Sequence, residues 1–256
     1  MDTETDRFKI YFLGTGSARA TASRDNTSLY LEWEDTNALI DCGGSIVHKF
    51  KKMSLDFNNV DRVIITHLHP DHVYGLPSLL HPLKPAGIFP DIIVPPGSTD
   101  KFYSFLKLFE FDKLDIQISE MEDNRKLIPN LEFFPTRHTP ESRGIIFIKE
   151  NFKFVYTGDT GPMKNYRTLF NKAEYLIHDC YAPSRFKSKS SVLDKSHTSG
   201  KLLGKMAEKS RVKNLVPVHF SGEYSEEFKI EELIEELKKH YSGNIVVPRD
   251  LTCLRI

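Results

Sequence analysis

An α/β fold with two β-sheets packed face to face and helices outside is what this 256-residue sequence predicts. Three observations point there. Strand-like runs rich in β-branched and aromatic residues alternate with helical runs along the chain. The alternation falls into two successive halves, each opening on strands and closing on helices. No linker-like stretch of proline, glycine or serine divides the halves, so one domain spanning 1–256 is expected.

The elements follow in order. Residues 8–13 form a strand ended by Gly14-Thr15-Gly16, and residues 27–33 and 38–40 form a hairpin over the polar turn at 34–37. A helix runs from Ser45 to about Met53, and residues 62–66 read as a short buried strand. A strand at 92–94 is stopped by Pro95-Pro96-Gly97. Ser98 then caps an amphipathic helix carrying Phe102, Phe105, Leu106 and Phe109, whose rings are expected in the core. In the second half, strands fall at 131–136, 144–148 and 152–156, the last two joined over Glu150-Asn151. A short helix ends at Leu169 and Phe170, followed by a strand at 175–177, a helix at 198–209 and a strand at 214–218. A helix at 228–240 and closing strands at 245–247 and 251–256 complete the chain. The serine- and lysine-rich segment 184–191 reads as a surface loop.

Composition sets the bounds. An apolar fraction of 39% supports a core. Thirty-five basic residues balance thirty-five acidic ones, so no global charge argues for a polyanionic partner, and RNA finds no support from charge. Residues 1–7 are polar and lack an apolar signal region. No run approaches the roughly 18 apolar residues of a membrane helix. Cys42, Cys180 and Cys253 are odd in number and far apart, which fits a reduced, cytoplasmic setting.

The densest chemistry is Thr66-His67-Leu68-His69-Pro70-Asp71-His72, directly after a buried strand. Three imidazoles and a carboxylate within six residues have no packing rationale. They are the donor set of zinc, iron or manganese. A strand end and tight turn can aim His67 and His69 at one ion and Asp71 and His72 at a second. Further ligands should sit where a sheet presents them rigidly. His138, Asp159 and His219 each follow an apolar strand.

The spacing H-x-H-x-D-H, then a histidine, a T-G-D-T turn and a late histidine, resembles the metallo-β-lactamase superfamily. That resemblance implies an αββα sandwich of two mixed sheets. It implies His67, His69 and His138 on one metal, Asp71, His72 and His219 on the other, and Asp159 bridging them. Zinc is the ion expected, with manganese and iron as alternatives; a glutamate at the His69 position would instead have resembled a redox di-iron branch. Phe12-Leu13-Gly14-Thr15-Gly16-Ser17, Asp41-Cys42-Gly43-Gly44, Gly75-Leu76-Pro77 and Leu176-Ile177-His178-Asp179-Cys180 with His197-Thr198-Ser199 resemble the ribonuclease Z branch. There, an acidic residue at the Asp179 position orients a histidine at the His197 position, which protonates the leaving oxygen.

The resemblance has a gap. Only twenty residues separate His138 from Asp159, where ribonuclease Z carries a long arm that grips transfer RNA. The Arg24-Asp25-Asn26 segment also departs from that branch. The expectation is therefore a binuclear hydrolase acting on a small-molecule or nucleotide phosphodiester. Asp71 would orient the attacking water, and His197, held by Asp179, would be the proton donor. A lactone, thioester or cyclic nucleotide is the alternative substrate, and a non-catalytic metal-binding protein the alternative class. Asp41 is read either as a holder of a ligand histidine or as a turn. His48, His81 and His240 are expected at the surface, His178, Cys42 and Cys180 in the interior, and a homodimer is left open.

Overall fold

The computed structural model describes residues 8–33, 36–122, 128–186, 195–224 and 227–256, with no side-chain description at 227–228. The turn expected at 34–37 and the loop expected at 184–191 lie partly outside these residues, as does the polar segment 1–7. The contacts group into two compact units. One comprises residues 1–18, 24–121 and 249–256, and the other residues 19–23 and 122–248.

The first unit contains β1 (Phe8–Gly14), β2 (Ser28–Trp33), β3 (Thr36–Ile40), α1 (Ile46–Lys52), β4 (Arg62–Ile64), α2 (Pro70–Val73), α3 (Leu76–Leu83), β5 (Asp91–Val94), α4 (Thr99–Lys107) and β6 (Ile118–Glu120). With the C-terminal strand Thr252–Arg255, these strands make a seven-stranded mixed sheet in the order C-terminal strand, β1, β2, β3, β4, β5, β6. The first four pair antiparallel and the rest parallel. The alternating burial of β1 shows one packed face, whereas β4 and β5 are short, apolar and deeply buried, as parallel strands require. Tyr30, Phe50, Leu39, Val63, Leu79 and Phe102 lie in one core cluster, with the Phe50 ring 4.9 Å edge-on from Tyr30.

The C-terminal return does more than add a strand. Asp250 accepts from Thr15 Oγ1 at 2.7 Å and from the Asp25 amide at 2.6 Å. Lys49, almost wholly buried, lies 3.1 Å from the Asp25 carboxylate. Burial alone would raise the Asp25 pKa, but Lys49 and the backbone donors bring it below its ordinary value. Arg24 Nη1 donates to Thr15 Oγ1, so the Arg24-Asp25-Asn26 segment is fastened to the end of β1.

The second unit contains β7 (Leu131–Pro135), β8 (Arg143–Lys149), β9 (Phe152–Tyr156), α5 (Tyr166–Leu169), β10 (Tyr175–Asp179), α6 (Gly200–Lys209), β11 (Asn214–Val218), α7 (Glu227–Lys238) and β12 (Asn244–Ile245). Its six strands run β12, β11, β10, β9, β8, β7, parallel as far as β9 and antiparallel after it. Helices α6 and α7 supply Leu203, Ala207, Leu233 and Leu237 to the core cluster that holds Phe170, Leu176 and Leu215.

The structure differs from the sequence reading at a few elements. Helix α3 is absent from the sequence reading; Pro77 sits in its first turn, where no amide partner is lost, and Pro82 lies inside it. Strand β6 is three residues long and, among the described residues, pairs with β5 alone at the sheet edge. Ser98 does not cap α4: its buried hydroxyl has no hydrogen-bond partner among the described residues, and Glu120 instead accepts from Gly97, Thr99 N and Thr99 Oγ1. Those hydrogen bonds hold the Glu120 carboxyl below its usual range. Phe109 is not core. The helix ends at Lys107, left-handed Glu110 reverses the chain, and the Phe109 ring is 43% exposed.

Replacing the fully buried Phe50 by alanine should cost about 3–5 kcal/mol, from lost burial plus the cavity left behind. Urea unfolding reads this as a lower midpoint, and an unchanged midpoint would remove Phe50 from the core.

Candidate metal centre

In the first unit the chemistry begins where β3 and β4 end. Asp41 follows β3 in a left-handed conformation at φ 58°, and its amide donates to the Ile64 carbonyl of β4 at 2.8 Å. The turn brings a fully buried carboxylate under the histidine segment. Asp41 Oδ1 accepts from the Thr66 amide at 2.8 Å, and both its oxygens lie within 3.0 Å of Thr66 Oγ1. Its Oδ2 stands 2.8 Å from His72 Nδ1. Asp41 thus holds one ring nitrogen of His72 and turns the other, Nε2, toward Asp71, whose Oδ2 lies 3.5 Å away. Asp41 is a histidine holder as well as a turn.

His67 and His69 converge as well. His67 Nδ1 lies 3.2 Å from Thr66 Oγ1, and His67 Nε2 is 3.0 Å from His69 Nδ1. His69 precedes α2, Pro70 opens that helix, and Asp71 and His72 occupy its first turn, so only Pro70 separates the two pairs. The ligand-type atoms of His67 and His69 lie within 4.8 Å of each other, as do those of Asp71 and His72. The backbone is packed tightly here. A Cβ on Gly43 would stand 2.0 Å from the Asp71 carbonyl oxygen, closer than any atom can sit.

In the second unit Asp159 lies just beyond β9, after Gly158 at φ 57°. It is 3% exposed, and its two oxygens face two histidines. Oδ2 is 3.7 Å from His138 Nε2, and Oδ1 is 3.1 Å from His219 Nδ1. His138 follows β7 and is oriented by the Ser196 carbonyl, 2.9 Å from its Nδ1. His219 follows β11 in a left-handed turn at φ 62°.

A second pair stands beside these. Asp179 ends β10, is fully buried, and receives the Thr160 amide on Oδ2 at 3.0 Å. The same oxygen lies 2.7 Å from His197 Nδ1. The His197 ring centroid is 5.0 Å from that of His138 and 5.2 Å from that of His219. The carboxylate–histidine pair therefore sits within ring contact of two ligand-type histidines.

The other expectations divide cleanly. His178 is packed in the interior with its ring edge-on to Phe170, and burial lowers its pKa. Cys42 and Cys180 are buried, and burial pushes both thiols up, so they are inert neighbours and not donors. His48 and His81 are exposed, whereas His240 is only half exposed. Sequence reasoning passed over Thr66 and Tyr181, for a hydroxyl or an aromatic ring at a strand end carries no periodic signal.

A family model described as anti-Pycsar protein Apyc1 matches residues 8–87. Ribonuclease Z of Picrophilus torridus is 25% identical over 272 aligned residues, covering 86% of this chain and 87% of its own length. Among solved structures, the metallo-beta-lactamase fold protein YhfI of Bacillus subtilis matches with a TM-score of 0.84 at 18% identity, over 98% of this chain and 100% of that one. The short form of human tRNase Z matches at a TM-score of 0.75 and 21% identity, over 96% of this chain and 98% of its own. The chain has the metallo-β-lactamase fold. It is similar in sequence to ribonuclease Z, and the two mixed sheets expected from its motifs are those of this fold.

Within the metallo-β-lactamase fold, the donor chemistry fits divalent ions. Every candidate donor is an imidazole nitrogen or a carboxylate oxygen, and no thiolate competes, which suits zinc, manganese or iron. Substituting Asp41 by alanine should lower metal affinity about 10- to 100-fold, the usual effect of losing a ligand's orienting partner. Competition with a chromophoric chelator measures it, and wild-type affinity would show that Asp41 is only a turn. Gly43→Ala should displace Asp71 and reduce the metal bound per chain, as read by elemental analysis after dialysis.

Proposed function

We propose that this chain is a binuclear metal-dependent phosphodiesterase acting on a small-molecule or nucleotide phosphodiester. The observation that carries the reading is the buried Asp179–His197 pair, with its imidazole against His138 and His219. A phosphodiester cannot expel an alkoxide at neutral pH without a proton, and this pair is placed to supply one.

The metal ligands follow from the pairings within each unit and from the likeness to ribonuclease Z. His67, His69 and His138 would hold one ion, Asp71, His72 and His219 the other, and Asp159 would be shared by both. When bound, the ions acidify water and neutralise the phosphoryl oxygens. Asp71 orients the attacking water and takes up its proton. Asp179 keeps His197 Nδ1 protonated and stabilises the imidazolium until Nε2 has given its proton to the leaving oxygen. Zinc is the ion we assign to this nitrogen- and oxygen-rich set, in a cytoplasmic protein. No helix among the described residues is long and apolar enough to cross a membrane.

A substrate smaller than transfer RNA is supported by the hairpin β8–β9. It fills the twenty-residue interval between His138 and Asp159 and turns tightly at Glu150, which sits at φ 52°. No long arm interrupts it.

The test is a panel of bis(p-nitrophenyl) phosphate, a deoxydinucleotide, a phosphomonoester, a lactone and a thioester. Diester turnover should vanish with a chelator and return with zinc or manganese. His69→Ala and Asp71→Ala should abolish it. His197→Ala should slow dinucleotide cleavage by about 10²–10⁴-fold, the range for loss of a general acid. Turnover confined to the lactone or thioester would overturn the phosphodiesterase reading, and no turnover with both ions bound would make the centre non-catalytic.

A further inference from the structure

We infer that Tyr181 is the positioning residue for the proton donor, its ring setting the plane of the His197 imidazole. The inference rests on the assignment of His197 as general acid and adds a residue that the donor pair alone leaves out.

One hydrogen bond does not orient a ring. The contact between His197 Nδ1 and Asp179 Oδ2 fixes one in-plane direction, and the plane is left to the rings around the imidazole: His219, 5.2 Å away at 12°, His138, 5.0 Å away at 59°, and Tyr181, whose centroid is nearer than either. Tyr181 lies against this degree of freedom. Its ring stacks on His197 with centroids 4.6 Å apart and planes 22° apart. The offset-stacked arrangement is favourable for two aromatic rings, and it becomes more so when the imidazole is protonated, since the phenol face attracts a cation.

The backbone places that ring. Strand β10 ends at Asp179, and Tyr181 follows two residues later. Its amide donates to the Thr198 carbonyl at 3.0 Å, and its carbonyl accepts from the Ser221 amide at 2.9 Å. One residue therefore joins the segment carrying His197 to the segment carrying His219. The register is extended by the bridge between Ala182 and Ser199 and by the bond from Gly200 N to Ala182 O, 3.1 Å long. Phe186 lies 6.3 Å from the Tyr181 ring and is itself braced edge-on by Tyr224 at 5.6 Å. Because these backbone bonds survive any side-chain change at 181, a substitution there tests the ring and little else.

The experiment compares Tyr181→Phe with Tyr181→Leu in the zinc-loaded protein on two diesters. The deoxydinucleotide dTpdT expels an alkoxide and needs the acid, whereas bis(p-nitrophenyl) phosphate expels a stable phenolate and does not. Tyr181→Leu should lower kcat on dTpdT by about tenfold, the scale of a stacked pair together with lost orientation. KM and the aryl diester rate should hold within about twofold, and Tyr181→Phe should restore the dinucleotide rate. An equal loss on both substrates, no loss on either, or a phenylalanine variant as slow as leucine would overturn the assignment. A second readout needs no substrate, so it stands even if the chain cleaves no diester. The ring protons of His197 should carry an upfield NMR ring-current shift that persists in Tyr181→Phe and falls in Tyr181→Leu to the part supplied by His138 and His219, and unchanged shifts in the leucine variant would equally overturn it.

Discussion

Three carboxylates taken almost wholly out of water are the constraint from which the rest of this structure follows. Asp41 and Asp179 are fully buried, and Asp159 is 3% exposed. An ionised carboxylate in such a place costs several kcal/mol unless hydrogen bonds and opposite charge offset it. Each of these acids therefore commands its surroundings. Asp41 gathers the Thr66 amide and hydroxyl and the His72 ring, Asp179 gathers the Thr160 amide and the His197 ring, and Asp159 stands between His138 and His219. The orientation of four of these histidines is set by the need to satisfy a buried acid.

The two units solve the same problem with the same device. A strand delivers the acid or histidine at its end, and a sharp turn aims it. Asp41 after β3 and His219 after β11 both adopt left-handed backbones, and Gly158 does so just before Asp159. Such conformations cost of order 1–3 kcal/mol for residues with a Cβ and persist only where their surroundings hold them. Here the sheets supply that hold: strands β4, β9, β10 and β11 end in buried residues and are anchored on both sides by hydrogen bonds. Rigid strands carry the chemistry at their ends, and loops tolerate the variation.

Under the proposed function, that division would let a hydrolytic centre be kept while its substrate differs. The donors and the acid pair depend on strand ends and buried acids. The long arm that would grip transfer RNA belongs to the interval after His138, and in this chain that interval is a plain hairpin. The pairing of β8 with β9 is complete from Ile145↔Tyr156 to Lys149↔Phe152 without an insertion.

The histidine segment was legible in the sequence because hydrophobic burial cannot explain it. Three imidazoles and a carboxylate after an apolar strand are costly unless they bind something. His138, Asp159 and His219 were legible more weakly, through their shared position after apolar runs, and Asp179 with His197 only through resemblance to known motifs. The strands themselves were readable because period-2 and β-branched patterns are local. What local pattern could not decide was who pairs with whom. The Asp41 partner, thirty-one positions away at His72, could have been a ligand holder or a turn until the fold closed. The cap of α4 passed from Ser98 to Glu120, twenty-one residues beyond Thr99, because β6 brings that carboxylate to the helix start. Phe109 fits a helical stripe but lies past the helix end, and the ring nearest His197 comes from Tyr181, set there by backbone bonds to two distant segments. The sequence by itself determined which groups were chemically out of place. The tertiary structure decided which of them meet, since pairing a buried charge is a question of distance in space, and spacing along the chain does not encode it.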